Sequence, residues 1–186
     1  MKVIAVDTAI VFEPMLSIQQ QIRNRPPTGW EPVFFDTAAG LLGELKKLTL
    51  TPGEIFRQIE IVSEASPVHI DHVAVPFDGP ADPADLSPAE FGAALTRLPG
   101  ISRAKTVVYL SGCNTGLADW DMKIDECTAQ VLANAAGIGV RGAAGFIEGL
   151  HATNNETVSE FGDNGEQYQH SRNAKRGKCW NQFTPH

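Results

Sequence analysis

The residues best suited to chemistry in this 186-residue chain lie in one short run, Leu110-Ser111-Gly112-Cys113-Asn114-Thr115-Gly116, directly after the apolar stretch Thr106-Val107-Val108-Tyr109. A buried strand that feeds straight into a turn of small residues holds a thiol against the sheet yet leaves it open to a cleft. A nucleophilic thiolate needs that partial exposure, whereas a structural cysteine is usually buried. Backbone N–H groups in such a turn, Gly112 among them, can steady the oxyanion of a tetrahedral intermediate. Glycine also lets backbone and substrate approach closely. The chemistry indicated is nucleophilic attack by the Cys113 thiolate.

The Leu-Ser-Gly-Cys-Asn-Thr-Gly run resembles the nucleophile motif of the CHAT branch of caspase-like (clan CD) cysteine peptidases, which has a hydrophobic strand, a small pair, Cys, a polar residue, Thr and Gly. Residues 129–137 and Val140-Arg141-Gly142-Ala143-Ala144-Gly145-Phe146 are similar to that family's next helix and strand, so the resemblance spans about 68–149. It implies a caspase-like fold, a cysteine endopeptidase acting on protein or peptide substrates, and no cofactor. The local signature of animal caspases is absent.

The family pattern also places a His-Gly pair after the strand that precedes the cysteine strand. That histidine helps generate the thiolate or protonates the leaving amine. Here the corresponding turn reads Val75-Pro76-Phe77-Asp78-Gly79: Gly79 matches, and Asp78 stands where the histidine is expected. An aspartate does not donate a proton at neutral pH unless its pKa is strongly raised. Two expectations therefore stand side by side. One is a peptidase in which His72 or His151 partners Cys113; the other is a caspase-like pseudoenzyme that binds proteins without cutting them. His72 reaches the cleft only through a bulge or a shifted strand end, and otherwise is a hydrogen-bonded interior histidine. His151 follows the last expected strand at the edge that carries Cys113, and otherwise is a plain loop residue.

Asp7 and Asp36 close strands at that same edge. The resemblance implies that acidic residues there shape a pocket for a basic P1 side chain; as bare residues they read as solvated or helix-capping aspartates. Arg141, inside a strand, pairs with an acid such as Asp7 or meets an anionic ligand. His69 and His72 stand at i and i+3 of an expected strand and point to opposite faces, so they make a poor metal clamp. Three cysteines without a CxxC spacing give neither a disulfide framework nor a zinc cluster. No metal site is expected.

Runs rich in Val, Ile and Phe predict strands at 3–6, 32–35, 68–75, 106–110 and 139–146. Several are almost continuously apolar, as parallel strands covered on both faces are. Between them, Thr51-Pro52-Gly53-Glu54 reads as a capping box that opens a helix with Ile55, Ile59 and Val62 on one face. Ser87-Pro88-Ala89-Glu90 repeats the device before Phe91, Ala94, Leu95 and Leu98. A helix at 125–136 ends at Gly137, and further helices fall at 41–48 and 15–23. Alternation of this kind predicts an α/β fold, a doubly wound, mostly parallel sheet with helices on both faces. In such sheets ligands bind beyond the carboxyl ends of the strands. A flavodoxin-like domain binding a small anion there is the weaker alternative, and no phosphate-binding glycine loop supports it.

The division expected is an α/β domain over residues 1–152 and a polar tail over 153–186, extended or partly disordered, with Phe161, Tyr168, Trp180 and Phe183 available to anchor it. Its basic cluster, Arg172, Lys175, Arg176 and Lys178, reads as solvated. A formal net charge of −7 disfavours non-specific nucleic-acid binding. No apolar run approaches the ~20 residues of a membrane span, and the apolar start of the chain ends at Asp7, too short for a signal peptide. The expected compartment is the cytosol, with no membrane partner. Oligomeric state carries no signal.

Overall fold

The computed structural model describes residues 1–9, 13–63, 86–112, 115–116, 127–143, 146–155, 157–161, 167–171 and 180–186. The expected strand at 68–75 and the Val75–Gly79 turn, with His69, His72, Asp78 and Gly79, lie outside them, as do Cys113, Asn114, Cys179 and the basic cluster of the tail.

Strands β1 (Lys2–Asp7), β2 (Glu31–Phe35), β3 (Gln58–Val62), β4 (Val107–Ser111) and β5 (Gly139–Ala143) form a parallel sheet, and β9 (Trp180–Phe183) adds an antiparallel edge beside β5. The order is β2-β1-β3-β4-β5-β9. The three central strands are buried along almost their whole length, which accounts for their near-continuous apolar sequences.

Alternation along the strands sends Val3, Ala5, Val33, Phe35, Ile59, Ile61, Val108, Leu110 and Val140 to one face. There they pack under α2 (Ala38–Lys47), α3 (Pro88–Thr96) and α4 (Thr128–Ala136), through Leu41, Leu45, Phe91, Leu95 and Leu132. On the other face Ile4, Val6 and Val62 meet Met15 and Ile22 of α1 (Glu13–Asn24), with Trp30 and Leu150. The molecule is an α/β structure with helices on both faces of a mostly parallel sheet, as the alternation of sequence signals implies.

The helix boundaries follow local chemistry. Ser87 caps α3 in a reciprocal box: its hydroxyl oxygen accepts the Glu90 N–H, and Glu90 Oε2 accepts the Ser87 N–H at 3.0 Å. Thr37 Oγ1 caps α2 by accepting the Gly40 N–H at 3.0 Å. Gly137 ends α4 in the left-handed region, where only glycine is unstrained.

At 51–62 the sequence predicts a helix, and the structure corrects it. Thr51 and Glu54 do bond as a capping pair, with Thr51 N–H and Oγ1 both donating to Glu54 Oε2. Gly53 between them has φ +83°, so the chain makes a turn and leaves as β3. The spacing of Ile59 and Val62 that suggested a helix face is a strand in which Ile59 and Ile61 enter one core layer and Val62 the other. The strand expected at 139–146 also divides. β5 stops at Ala143, and β6 (Phe146–Glu148) belongs to a separate antiparallel sheet with β7 (Thr157–Phe161) and β8 (Gln167–Ser171). Residues 153–186 thus supply two strands of a second sheet and the last strand of the first. Phe183 packs on the main core.

Candidate functional site

In the order β2-β1-β3-β4-β5 the winding reverses between β1 and β3, and the crevice of a doubly wound sheet opens beyond the carboxyl ends of those strands. Two side chains meet there. Asp7, fully buried at the end of β1, accepts the Ser63 hydroxyl on Oδ2 at 2.7 Å and the Ala9 N–H on Oδ1 at 2.8 Å. Its own carbonyl accepts Gln19 Nε2 at 2.9 Å, which ties α1 to the strand end. Asp7 is therefore a buried carboxylate held by hydrogen bonds. Asp36 follows β2 at the same edge and is exposed, with the Thr37 hydroxyl 3.5 Å from its Oδ1.

Beside this crevice β4 ends at Ser111, and the described residues that flank Cys113 and Asn114 are pinned on both sides. Gly112 and Thr115, which flank Cys113 and Asn114, are buried. Thr115 Oγ1 donates to the Leu110 carbonyl at 3.0 Å, lies 3.2 Å from the Gly112 carbonyl, and accepts the Ala143 N–H at 2.9 Å. One hydroxyl thereby joins the start of the turn to β5. The Thr115 carbonyl accepts the Ala129 N–H at the start of α4, and Gly116 N–H donates to the Ala143 carbonyl at 2.9 Å. A Cβ on Gly116 would stand 2.5 Å from the Gly142 carbonyl oxygen, and one on Gly142 2.6 Å from Gly116 Cα. Both must be glycine for the turn to lie on the β5 backbone. Asn181 of β9 closes the arrangement by donating Nδ2 to the Gly116 carbonyl at 2.8 Å. The Thr and Gly of the motif thus hold the turn in place.

The opposite face of the sheet carries a buried carboxylate that the sequence pattern conceals. Glu60, fully buried in β3, accepts the Ser111 hydroxyl at 2.5 Å and the His151 N–H at 2.8 Å on Oε1, and the Ala152 N–H at 2.7 Å on Oε2. Burial pushes its carboxyl above the ordinary value of 4.5, against the pull of the Ser111 hydroxyl, the Ala152 amide, the His151 charge and the His151 amide. The one cue in the chain is the alternation Gln58-Ile59-Glu60-Ile61, which a helical assignment of 55–62 hides.

His151 opens a short 3-10 helix, His151–Thr153, and is 9% exposed. Its imidazole stacks on the Tyr109 ring at 3.8 Å and 10°, and the rings of Trp30 and Trp180 stand edge-on at 5.9 and 6.0 Å. His151 and Ser111 therefore share one acceptor, Glu60, and Ser111 is two residues before Cys113 in the chain.

Arg141 does not pair with Asp7. Alternation turns it to the face opposite Asp7, and two strands separate their strands. Its guanidinium lies 5.3 Å from the Tyr109 ring centroid and donates to Gln182 Oε1 at 3.4 Å. Cys127 is the N-cap residue of α4, buried in the main core.

No family model matches the chain, and no curated protein matches it. Among the described residues no helix is long and apolar enough to cross a membrane.

Proposed function

We propose that the chain is a caspase-like cysteine peptidase of the CHAT-like branch, cleaving protein or peptide substrates through Cys113. The observation that carries this reading is the turn that bears the cysteine. It stands at the carboxyl end of a central parallel strand, beside the crevice of the sheet, and Thr115, Gly116, Gly142 and Asn181 fix both of its ends. A nucleophile gains most from such rigid support, because orientation of the attacking atom is then established before substrate arrives. Gly112 N–H is the oxyanion donor in this reading, and Gly79 is the residue that matches the glycine of the family's His-Gly pair. His151, whose backbone N–H shares the Glu60 carboxyl with the Ser111 hydroxyl, is one candidate base, and His72 is the other. Asp36 supplies a solvent-facing charge at the rim, while Asp7 is fully buried with its Oδ2 accepting the Ser63 hydroxyl.

One observation favours a second reading, a pseudoenzyme that binds proteins without cleaving them. The His151 ring is clamped by Tyr109, Trp30 and Trp180, and Asp78 occupies the position of the family's histidine.

Site-resolved alkylation of the full chain separates the two. An activated Cys113 reacts with iodoacetamide with a midpoint below the ordinary thiol value of about 8.5, while buried Cys127 stays protected and Cys113→Ala removes all cleavage of a peptide library. Alkylation of Cys113 no faster than in the unfolded chain, with no peptide cut, overturns the peptidase and leaves the pseudoenzyme.

A further inference from the structure

The face of the sheet that carries Tyr109 is only partly covered. Helix α1 packs over β1, and the His151 segment with Trp180 covers Glu60 and the upper part of Tyr109. At the amino-terminal half of β3, β4 and β5 a depression of about 610 Å³ remains. That volume lies within the range of small-molecule sites. Its charged lining is Lys2, Arg57, Lys105 and Arg141, with no carboxylate among the lining residues, in a chain whose formal net charge is −7. Among the described residues the ion pairs join other groups, Met1 to Glu54 and Lys47 to Glu44, and none of these four cations takes part in them. Glu60, the carboxylate on the same face, is turned to the His151 segment and does not line the depression.

Two details make this more than a basic patch. Arg141 is oriented in advance, over the Tyr109 ring and against Gln182 Oε1. A guanidinium so fixed loses little freedom when it forks onto a phosphate. In the floor, Gln58 donates Nε2 to Tyr109 Oη at 3.3 Å, and its Oε1 is buried without a hydrogen-bond partner. None of the four cations donates to that carbonyl in the structure, and a hydroxyl on a ligand is a donor that would match it.

We infer that this depression binds a small phosphorylated polyol, with at least two phosphate groups held by Lys2, Arg57, Lys105 and Arg141 and a hydroxyl donated to Gln58. The site is separate from the Cys113 turn: Val107 lies in its wall, and β4 runs roughly 13 Å from there to Ser111. It stands whether or not Cys113 is a nucleophile.

Calorimetric titration of the full chain with fructose 1,6-bisphosphate tests this, with fructose and pyrophosphate as comparators. One saturable site is expected for the bisphosphate and none for fructose. The double variant Arg57→Ala/Lys105→Ala changes exposed side chains only, and circular dichroism checks that it folds. It should weaken binding about tenfold or more, given the strength of charge-assisted hydrogen bonds, and so should Arg141→Gln. Gln58→Leu should weaken the bisphosphate and leave pyrophosphate unchanged. Absence of saturable binding, or variant affinities within about twofold of the parent, a change too small for one such hydrogen bond, overturns the anion site. Equal loss of both probes, or of neither, in Gln58→Leu overturns the polyol.

Discussion

Glu60 in the centre of β3 holds the backbone N–H of His151, 91 residues further along the chain, at 2.8 Å. The neighbouring Ala152 N–H and the Ser111 hydroxyl bond to the same carboxyl group, so one buried side chain fastens the 3-10 helix to the sheet and to the strand that leads towards Cys113. A carboxylate sealed from water is tolerated only when hydrogen bonds replace its hydration.

Stability should therefore fall as pH rises. Because burial raises the Glu60 pKa in the folded chain, the native state retains this proton over a window that begins at the ordinary value of 4.5 and ends at the raised one. Across that window the folded state binds more protons than the unfolded state, and ionisation at higher pH costs stability. Urea melts of the parent and of Glu60→Gln, from about pH 4.5 to about 8, should show this slope in the parent and its loss in the variant. Glu60→Gln also turns an NH2 group towards a backbone N–H, which costs about 1–3 kcal/mol. An unchanged slope in the variant assigns the pH dependence to another group.

Much of this architecture is legible in the chain. β1, β2 and β4 follow from their short apolar runs, and the cap of α3 and the Gly137 stop of α4 from contacts within a few residues. β3 is not legible. The Thr51–Glu54 capping pair forms as expected, yet Gly53 at φ +83° turns the chain before a helix can start, and pairing with β1 and β4 then decides the conformation. Long-range pairing overrides local propensity in strands more readily than in helices. β9 is hidden for the same reason: Trp180 and Phe183 at its ends are half-buried, Asn181 and Gln182 between them are exposed, and Trp-Asn-Gln-Phe becomes a strand by pairing with β5. At the site, the motif announces Cys113, whereas the network behind it, Glu60, Ser63, Tyr109 and Asn181, depends on residues brought together by the fold.

Thr115 tests how the turn is held. Thr115→Val keeps the shape but removes the hydroxyl, leaving the Ala143 N–H and the Leu110 carbonyl unmatched in the interior. Each such buried group costs about 1–3 kcal/mol. Thr115→Ser keeps the hydroxyl and loses one methyl, worth about 1 kcal/mol. Chemical denaturation should rank the parent above Thr115→Ser and Thr115→Ser above Thr115→Val. The reverse order would mean that the methyl, not the hydroxyl, secures the turn.

Two alanine substitutions should act in opposite directions. At Gly142 a Cβ would lie 2.6 Å from Gly116 Cα and 2.7 Å from the Ala129 Cβ, so Gly142→Ala forces the turn and α4 away from β5. Overpacking of this kind costs about 1–3 kcal/mol or more. Gly43, within α2, has nothing within 4 Å of the added Cβ. Gly43→Ala should stabilise by about 0.5–1 kcal/mol through reduced freedom of the unfolded chain. Thermal melts of the two single variants give the comparison directly.

Among the described residues β9 is linked to the turn by a side-chain hydrogen bond, Asn181 Nδ2 to the Gly116 carbonyl, and its loss should be felt locally. Asn181 is exposed, so Asn181→Ala leaves the core untouched. A neutral hydrogen bond of this type contributes about 0.5–1.5 kcal/mol. If the turn opens as a unit, amide exchange at Gly116 and Ala143, which donate to the Ala143 carbonyl and to Thr115 Oγ1, should quicken by about twofold to tenfold. The amide of Ile61, in central β3, should keep its parent rate. Equal acceleration at all three amides would mean that Asn181 stabilises the whole domain; no acceleration at Gly116 would mean that Thr115 and the Gly116–Gly142 contact hold the turn without β9.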